Sequence, residues 1–245
     1  MILKTIIRSR KEGKKLFAVL VDPDKSGINK RGPVNVAKMS EVAKVDFIFV
    51  GGSIISTNIN DTIQTIKKNT SIPVILFPGS LLQLSDKADG IFLLSLISGR
   101  NPEFLIGNHI VAAPFLKKSS LEIISTGYML IEGGNTTSVE YMSNTKPIPA
   151  GKIDIAVATA IASEMLGHKM IYLEAGSGAM QAVPEKMIME IKKNINIPII
   201  VGGGLRSKSE IISACNAGAD VIVSGTAIEN DLGLLEEFSG IVHNL

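Results

Sequence analysis

The sequence predicts an α/β fold, a single (β/α)8 barrel over residues 1–245, and three observations lead to it. First, eight apolar, β-rich segments recur along the chain. Second, they are continuous rather than alternating, as in parallel strands covered on both faces. Third, segments with helical spacing separate most of them, without a linker, and the length suits one barrel. An open, doubly wound sheet is the alternative.

Most of the predicted strands end in Gly, Ser, Pro or Asp, as strands that run into tight loops do. In chain order they are LFAVLVDPD (16–24), FIFVGGS (47–53), PVILFPGS (73–80), GIFLLSLIS (90–98), EIISTGYMLIEGG (122–134), MIYLEAGSG (170–178), PIIVGGG (198–204) and VIVSGTA (221–227). The helical segments are NVAKMSEVAK (35–44), NDTIQTIKKN (60–69), KIDIAVATAIASEML (152–166), PEKMIMEIKKN (184–194) and SKSEIISACNAG (207–218). Pro184 followed by Glu185 is a helix-start signal.

The interval between the third and fourth strands breaks this rhythm. It reads LLQLSDKADG, which is too short for an outer helix with its loops. We therefore expect one outer helix to be missing or shortened, which leaves one side of the barrel open.

Composition excludes several classes of protein. The hydrophobic share of 45% supports a sizeable core, and the net charge of +2 gives no footprint for nucleic acid. The charged N-terminal segment does not suit a signal peptide, and no run of about 18 apolar residues could span a bilayer. We expect a cytoplasmic protein without a transmembrane segment. Cys215 stands alone, so no disulfide within the chain can form, and it is predicted to be a buried helix residue.

Glycine-rich loops follow the last two strands, where barrels place their active sites and often bind phosphate. VGGGLRSKSE supplies Gly203 and Gly204, and VSGTAIEND supplies Gly225 and Thr226. Glycine allows an anion to approach the backbone N–H groups closely. We predict a phosphate site there, with ordinary turn glycines as the alternative. Arg206 is left outside the site.

Two aspartates at the end of the first strand are candidates for a metal site. Asp22 and Asp24 flank Pro23, and Ser53 follows the second strand. Carboxylate and hydroxyl oxygens suit Mg²⁺, which keeps water and phosphate ligands. The alternative is a turn or helix-capping role for both aspartates and the serine. The three histidines lie away from the strand ends and are not expected to be catalytic.

Taken together, VDPDK, FIFVGGS, PVILFPGS, YLEAGSGA, VGGGLRS and VSGTAIE resemble the geranylgeranylglyceryl phosphate synthase family, which has bacterial heptaprenylglyceryl phosphate synthase relatives. The likeness covers nearly the whole chain in the same order. It implies a modified TIM barrel without one outer helix. It also implies Mg²⁺-dependent transfer of a geranylgeranyl group from its diphosphate to the C3 hydroxyl of sn-glycerol 1-phosphate, the first ether bond of ether lipids.

The resemblance assigns residues as well. The heptaprenyl enzymes of the family carry a Lys two residues before the first Asp of this motif. This chain has Leu20 at that position, which favours the geranylgeranyl branch. The resemblance implies metal binding by an Asp of VDPDK with Ser53, and a homo-oligomer that contacts membranes at most transiently. The glycerol phosphate would contact Tyr172, Leu173, Glu174, Ala175, Gly176, Ser177 and Gly178, with its phosphate on Gly203, Gly204, Gly225 and Thr226.

The position of Glu174 suggests a general base. Ether formation requires an alcohol to lose its proton as it attacks an allylic carbon, and a carboxylate at a strand end can accept that proton. Tyr172 would position the substrate or Glu174, and the apolar FLLSLIS (92–98) would line the open side for the prenyl tail. An ion pair of Glu174 at the barrel mouth is the alternative.

Two other functions remain open at this point. A sugar-phosphate isomerase or aldolase would use the same phosphate loops, although an aldolase needs a Schiff-base lysine and none lies inside the eight segments. A noncatalytic phospholipid or phosphosugar binder would keep the glycine loops without needing a metal.

Overall fold

Eight parallel strands form a closed barrel in chain order in the computed structural model, which describes residues 1–24 and 32–245. The strands are β1 (Leu16–Val21), β2 (Phe47–Val50), β3 (Val74–Leu76), β4 (Gly90–Leu96), β5 (Glu122–Leu130), β6 (Met170–Glu174), β7 (Ile199–Gly202) and β8 (Val221–Ser224). β1 closes the barrel by pairing with β8, with Leu16 opposite Val221. All eight predicted strands are confirmed. Lys25 of the VDPDK motif lies outside the described residues.

One helix precedes β1, and among the described residues one or two α-helices follow every strand except β3. The α-helices are α1 (Ile2–Lys11), α2 (Pro33–Val42), α3 (Ile59–Lys67), α4 (Asn108–Lys118), α5 (Ser138–Ser143), α6 (Ile153–Met165), α7 (Glu185–Asn194), α8 (Lys208–Ala217), α9 (Thr226–Asn230) and α10 (Leu234–His243). The five predicted helices correspond to α2, α3, α6, α7 and α8. The sequence patterns did not single out the other five.

The short connection from β3 to β4 contains a 3-10 turn, Leu81–Gln83, and no α-helix, as predicted. The buried Gln83 fixes this turn. Its amide group donates to the Gly52 carbonyl at 2.6 Å and accepts from the Gly79 N–H at 3.0 Å. The turn is thereby tied to the loop after β2.

Apolar side chains fill the barrel interior and a separate layer between the strands and the helices. In the interior, the rings of Phe49 and Phe92 meet edge to face with centroids 4.9 Å apart. Ile2 and Ile6 of α1 join this cluster from the amino-terminal end, where Glu122 accepts the Leu3 N–H at 3.0 Å. Because α1 packs against that end, the carboxyl ends of the strands remain for a functional site.

Cys215 of α8 is buried, as predicted. Burial raises the pKa of its thiol to about 11, so the side chain remains a neutral thiol at neutral pH.

Candidate active site

A cavity of about 480 Å³ opens at the carboxyl ends of the strands and brings most of the predicted site residues together. Its wall includes Asp22, Ser53, Tyr172, Glu174, Gly176, Ser177, Gly178, Gly203, Gly204, Gly225 and Thr226. Three candidates lie elsewhere. Leu173 and Ala175 pack into the apolar layer under the outer helices, and Asp24 is outside the cavity wall. A substrate could reach Leu173 and Ala175 through their backbone only.

Glu174 ends β6 with its side chain turned into the barrel, because side chains alternate along a strand and Leu173 faces the outer helices. The residue is only 6% exposed. Its Oε1 accepts the Gly176 N–H at 2.7 Å. Burial raises the pKa of this carboxyl to about 7, and the hydrogen bond from Gly176 opposes the shift. A carboxyl group with such a pKa can accept and release a proton at neutral pH.

Three aromatic rings cluster in the barrel interior, and one of them, that of Tyr172, lies next to Glu174. The Tyr172 ring lies 4.9 Å from that of Phe77 and 5.6 Å from that of Tyr128, centroid to centroid. Burial, together with the charge of Glu174, raises the pKa of both tyrosine hydroxyls well above 10. Within the described part of the chain, the Tyr172 hydroxyl makes no hydrogen bond of normal geometry. Both tyrosines are therefore neutral and can serve as hydrogen-bond donors.

Tyr128 is a site residue that the sequence analysis missed. It lies inside β5 rather than at a strand end, and it reaches the site because β5 pairs with β6 so that Tyr128 is opposite Tyr172. The sequence signals Tyr128 only as a polar residue within an apolar strand. That signal does not reveal the register between β5 and β6, which brings Tyr128 next to Tyr172.

The loops after β6, β7 and β8 form one polar surface. Ser177 and Thr226 approach each other with hydroxyl oxygens 3.3 Å apart. Gly203 and Gly204 adopt left-handed backbone angles, with φ of 78° and 72°, which other residues rarely adopt. Arg206, left outside the predicted site, belongs to the cavity wall, and its guanidinium donates to the carbonyls of Gly178 and Ala179. It fixes the β6 loop against the β7 loop.

The two aspartates of VDPDK have different surroundings. Both carboxylate oxygens of Asp24 accept hydrogen bonds from Ser56 and Thr57, whose N–H and hydroxyl groups lie 2.8–3.0 Å away. These donors hold the pKa of Asp24 far below its usual range. Asp22 lies in the cavity wall, close to Gly52 and near Ser53. The geometry thus favours Asp22 as the carboxylate that faces the cavity.

The described residues contain no cluster of three or more His, Cys, Asp or Glu side chains that could hold a metal ion without other ligands. A cation beside Asp22 would therefore complete its coordination with other oxygens, such as those of a hydroxyl group, water or phosphate. The Mg²⁺ site stays a prediction.

The cavity continues into an apolar groove along β4. Ile91, Leu93 and Ala112 belong to the outer layer and Phe92 to the barrel interior, so the groove touches both faces of the strand. The outer face is reachable because the β3–β4 connection has no helix. His109 of α4 also lines the groove, and its Nε2 is 3.0 Å from the Ser95 hydroxyl. Burial lowers the pKa of His109, which favours the neutral ring.

The fold and the site define a (β/α)8-barrel enzyme with a buried carboxyl between a glycine-rich polar surface and a long apolar groove. The chain belongs to the PcrB family, whose model matches residues 6–242. This match and the named relatives below together confirm the resemblance drawn from the motifs.

Named relatives are similar over nearly the whole chain. The geranylgeranylglyceryl phosphate synthase of Chitinophaga pinensis is 49% identical over 99% of this chain and 96% of its own length. That of Pyrococcus furiosus is 44% identical over 94% and 91%. The crystal structure of the Thermoplasma acidophilum synthase, in complex with its substrate sn-glycerol-1-phosphate, superposes with a TM-score of 0.91 at 30% identity, over 100% of this chain and 99% of that one.

Replacing Glu174 by Gln is expected to stabilise the fold increasingly as pH rises. The folded-state pKa of about 7 lies above the usual 4.5, so ionising the buried carboxyl destabilises the fold as pH rises between these values. The penalty is on the order of 3 kcal/mol above pH 7 and vanishes below pH ~4.5.

Urea unfolding of the parent and of Glu174→Gln from pH 5 to 8.5 measures this difference. The free energy of unfolding of the variant, relative to the parent, should rise up to about pH 7 and then level off. A difference that stays constant across the range would contradict the raised pKa.

Proposed function

We propose that this chain transfers a geranylgeranyl group from geranylgeranyl diphosphate to the C3 hydroxyl of sn-glycerol 1-phosphate. One observation carries the proposal: the buried carboxyl of Glu174 lies where the polar loops and the apolar groove meet. A reaction that joins a small phosphorylated alcohol to a long apolar chain needs this juxtaposition. Family membership and the named relatives support the same reaction.

The reaction places a defined demand on Glu174. A bond forms between the C3 oxygen and the allylic C1 carbon while the bond from C1 to the diphosphate oxygen breaks. The hydroxyl proton passes to the Glu174 carboxylate, which must be ionised first. With a pKa of about 7, roughly half of the molecules carry the ionised form at neutral pH. The neutral Tyr172 hydroxyl can donate a hydrogen bond to Glu174 or to the substrate.

The polar loops orient the acceptor. Gly203, Gly204, Gly225, Ser177 and Thr226 line the cavity, and their backbone N–H groups and hydroxyls would bind the glycerol phosphate. Anchoring the phosphate there directs the far hydroxyl towards Glu174 and the groove. Along the groove, each CH₂ of the tail that leaves water contributes about 0.8 kcal/mol.

The residues around Asp22 fit a bound Mg²⁺. One carboxylate and the Ser53 hydroxyl lie in the same cavity wall, and Mg²⁺ is commonly held by one or two carboxylates together with substrate phosphates. When bound, the ion would offset the negative charge of the departing diphosphate. Asp24 would act on the surrounding loop instead, through Ser56 and Thr57.

We predict that Asp22→Asn and Asp24→Asn separate these roles. Asp22→Asn should raise the Mg²⁺ concentration needed for half-maximal turnover by about tenfold or more, because it removes a charged ligand. Asp24→Asn should lower the thermal midpoint and leave the Mg²⁺ requirement within about threefold. Equal Mg²⁺ requirements in the parent and Asp22→Asn, or full turnover in excess EDTA, would exclude the metal assignment.

Exposed apolar side chains on two outer helices support a homo-oligomer. Ile110 and Val111 of α4 and Ile155 and Met165 of α6 face the solvent. Such a surface favours association of copies of the chain. Light scattering should give a mass that is a multiple of 26.1 kDa, and Met165→Glu should shift it towards the monomer. A monomeric parent would refute the proposal.

The cytoplasmic location stays a prediction, and no described helix is long and apolar enough to cross a membrane.

The role of Glu174 in turnover is tested with glycerol 1-phosphate, Mg²⁺ and labelled prenyl diphosphates of several lengths. Glu174→Gln keeps the shape but cannot accept the proton, so kcat should fall by roughly 10²- to 10⁴-fold while the KM for glycerol 1-phosphate changes little. Glu236→Gln, the same substitution at an exposed glutamate of α10 outside the cavity wall, is the matched control. A folded Glu174→Gln protein within threefold of the parent kcat would rule out the base, and no ether product from the parent would rule out the reaction.

A further inference from the structure

Gly202, the last residue of β7, is a glycine that the backbone does not require. Its φ is outside the left-handed region, and the strand continues regularly to it, opposite Glu174 of β6. Any residue could adopt this conformation. The reason for glycine must therefore lie in what its missing side chain would touch.

An added Cβ at Gly202 would meet two groups of the site. It would lie 2.5 Å from the Tyr172 hydroxyl oxygen and 3.1 Å from Oε2 of Glu174. The first separation is shorter than van der Waals contact allows, and the second is tight. Both reactive side chains thus lie against the backbone of Gly202.

Other contacts fix both groups in their present positions. The Tyr172 ring is fully buried and packs against Phe77 and Tyr128 on its other sides. The Glu174 carboxylate is held at Oε1 by the Gly176 N–H, and the same oxygen would collide with a Cβ at Gly203. A side chain at position 202 would therefore shift the hydroxyl, the carboxylate or both.

We propose that Gly202 is a positioning residue, whose missing side chain lets the Tyr172 hydroxyl and the Glu174 carboxylate lie side by side at the reacting centre. The inference rests on the proposed role of Glu174 as the base. The end of β7 then has two roles. Gly203 and Gly204 shape the phosphate loop, and Gly202 leaves space for the Tyr172 hydroxyl and the Glu174 carboxylate. A displacement of the base by about 1 Å can reduce turnover by about 10²-fold.

The test is Gly202→Ala, alone and combined with Tyr172→Phe. Gly202→Ala should lower kcat by about 10- to 100-fold and leave the KM for glycerol 1-phosphate within about threefold, since the phosphate loops are unchanged. Gly240→Ala on α10, where an added Cβ meets nothing within 4 Å, should match the parent in both constants. A KM effect with normal kcat would overturn the proposal.

The double variant separates positioning from general destabilisation. Phenylalanine lacks the hydroxyl that the new Cβ would strike, although the contact with the Glu174 carboxylate remains. Gly202→Ala should therefore lower kcat and the thermal midpoint less in the Tyr172→Phe background than in the parent. Multiplicative losses would contradict the inference. If Gly202→Ala alone does not fold, the double variant still tests the proposal. It should fold because the Tyr172 hydroxyl that the new Cβ would strike is gone, and an unfolded double variant would contradict the proposal.

A crystal structure provides a readout that does not depend on the reaction. In Gly202→Ala the Tyr172 ring or the Glu174 carboxylate should be displaced relative to the parent, even if the parent were to make no ether product. Unmoved side chains would overturn the positioning role, whereas failure of the product assay in the parent would overturn only the proposed function.

Discussion

The structure depends most on the burial of one carboxyl group, that of Glu174, where the carboxyl ends of the strands close an apolar barrel. Removing an ionised carboxylate from water is costly, and the hydrogen bond from the Gly176 N–H offsets only part of that cost, so the pKa rises to about 7. Glu174 is only 6% exposed, and the Tyr172 ring beside it packs on that of Tyr128. The same burial that weakens the fold at neutral pH gives the site a base matched to that pH.

Because no α-helix lies between β3 and β4, the site includes an apolar groove as well as the polar barrel mouth. In a complete barrel the outer face of every strand is covered, which would confine a ligand to the mouth. Here Gln83 holds a short turn in place of the helix, and the cavity extends from the mouth along both faces of β4. A long apolar substrate can thus reach Glu174 from one side and a small polar one from the other.

The strand ends could be predicted from the sequence because continuous apolar runs that stop at Gly, Ser or Asp mark both the strands and the edge where they meet. The glycine loops, Asp22, Ser53 and Glu174 follow from that rule and from the family resemblance. Tyr128 and Gly202 could not be predicted, because their roles depend on the register between β5, β6 and β7. Asp24 was grouped with Asp22, because its partners Ser56 and Thr57 lie more than 30 residues away in the chain.

Direct titration of the Glu174 carboxyl tests the account most sharply. Infrared difference spectra between the parent and Glu174→Gln, recorded from pH 5 to 9, isolate the absorption of this carboxyl from that of all others. We expect the carboxyl to be protonated at pH 5 and half ionised near pH 7. A carboxyl already ionised at pH 5 would contradict the central claim, because burial would then not have prepared Glu174 to act as the base.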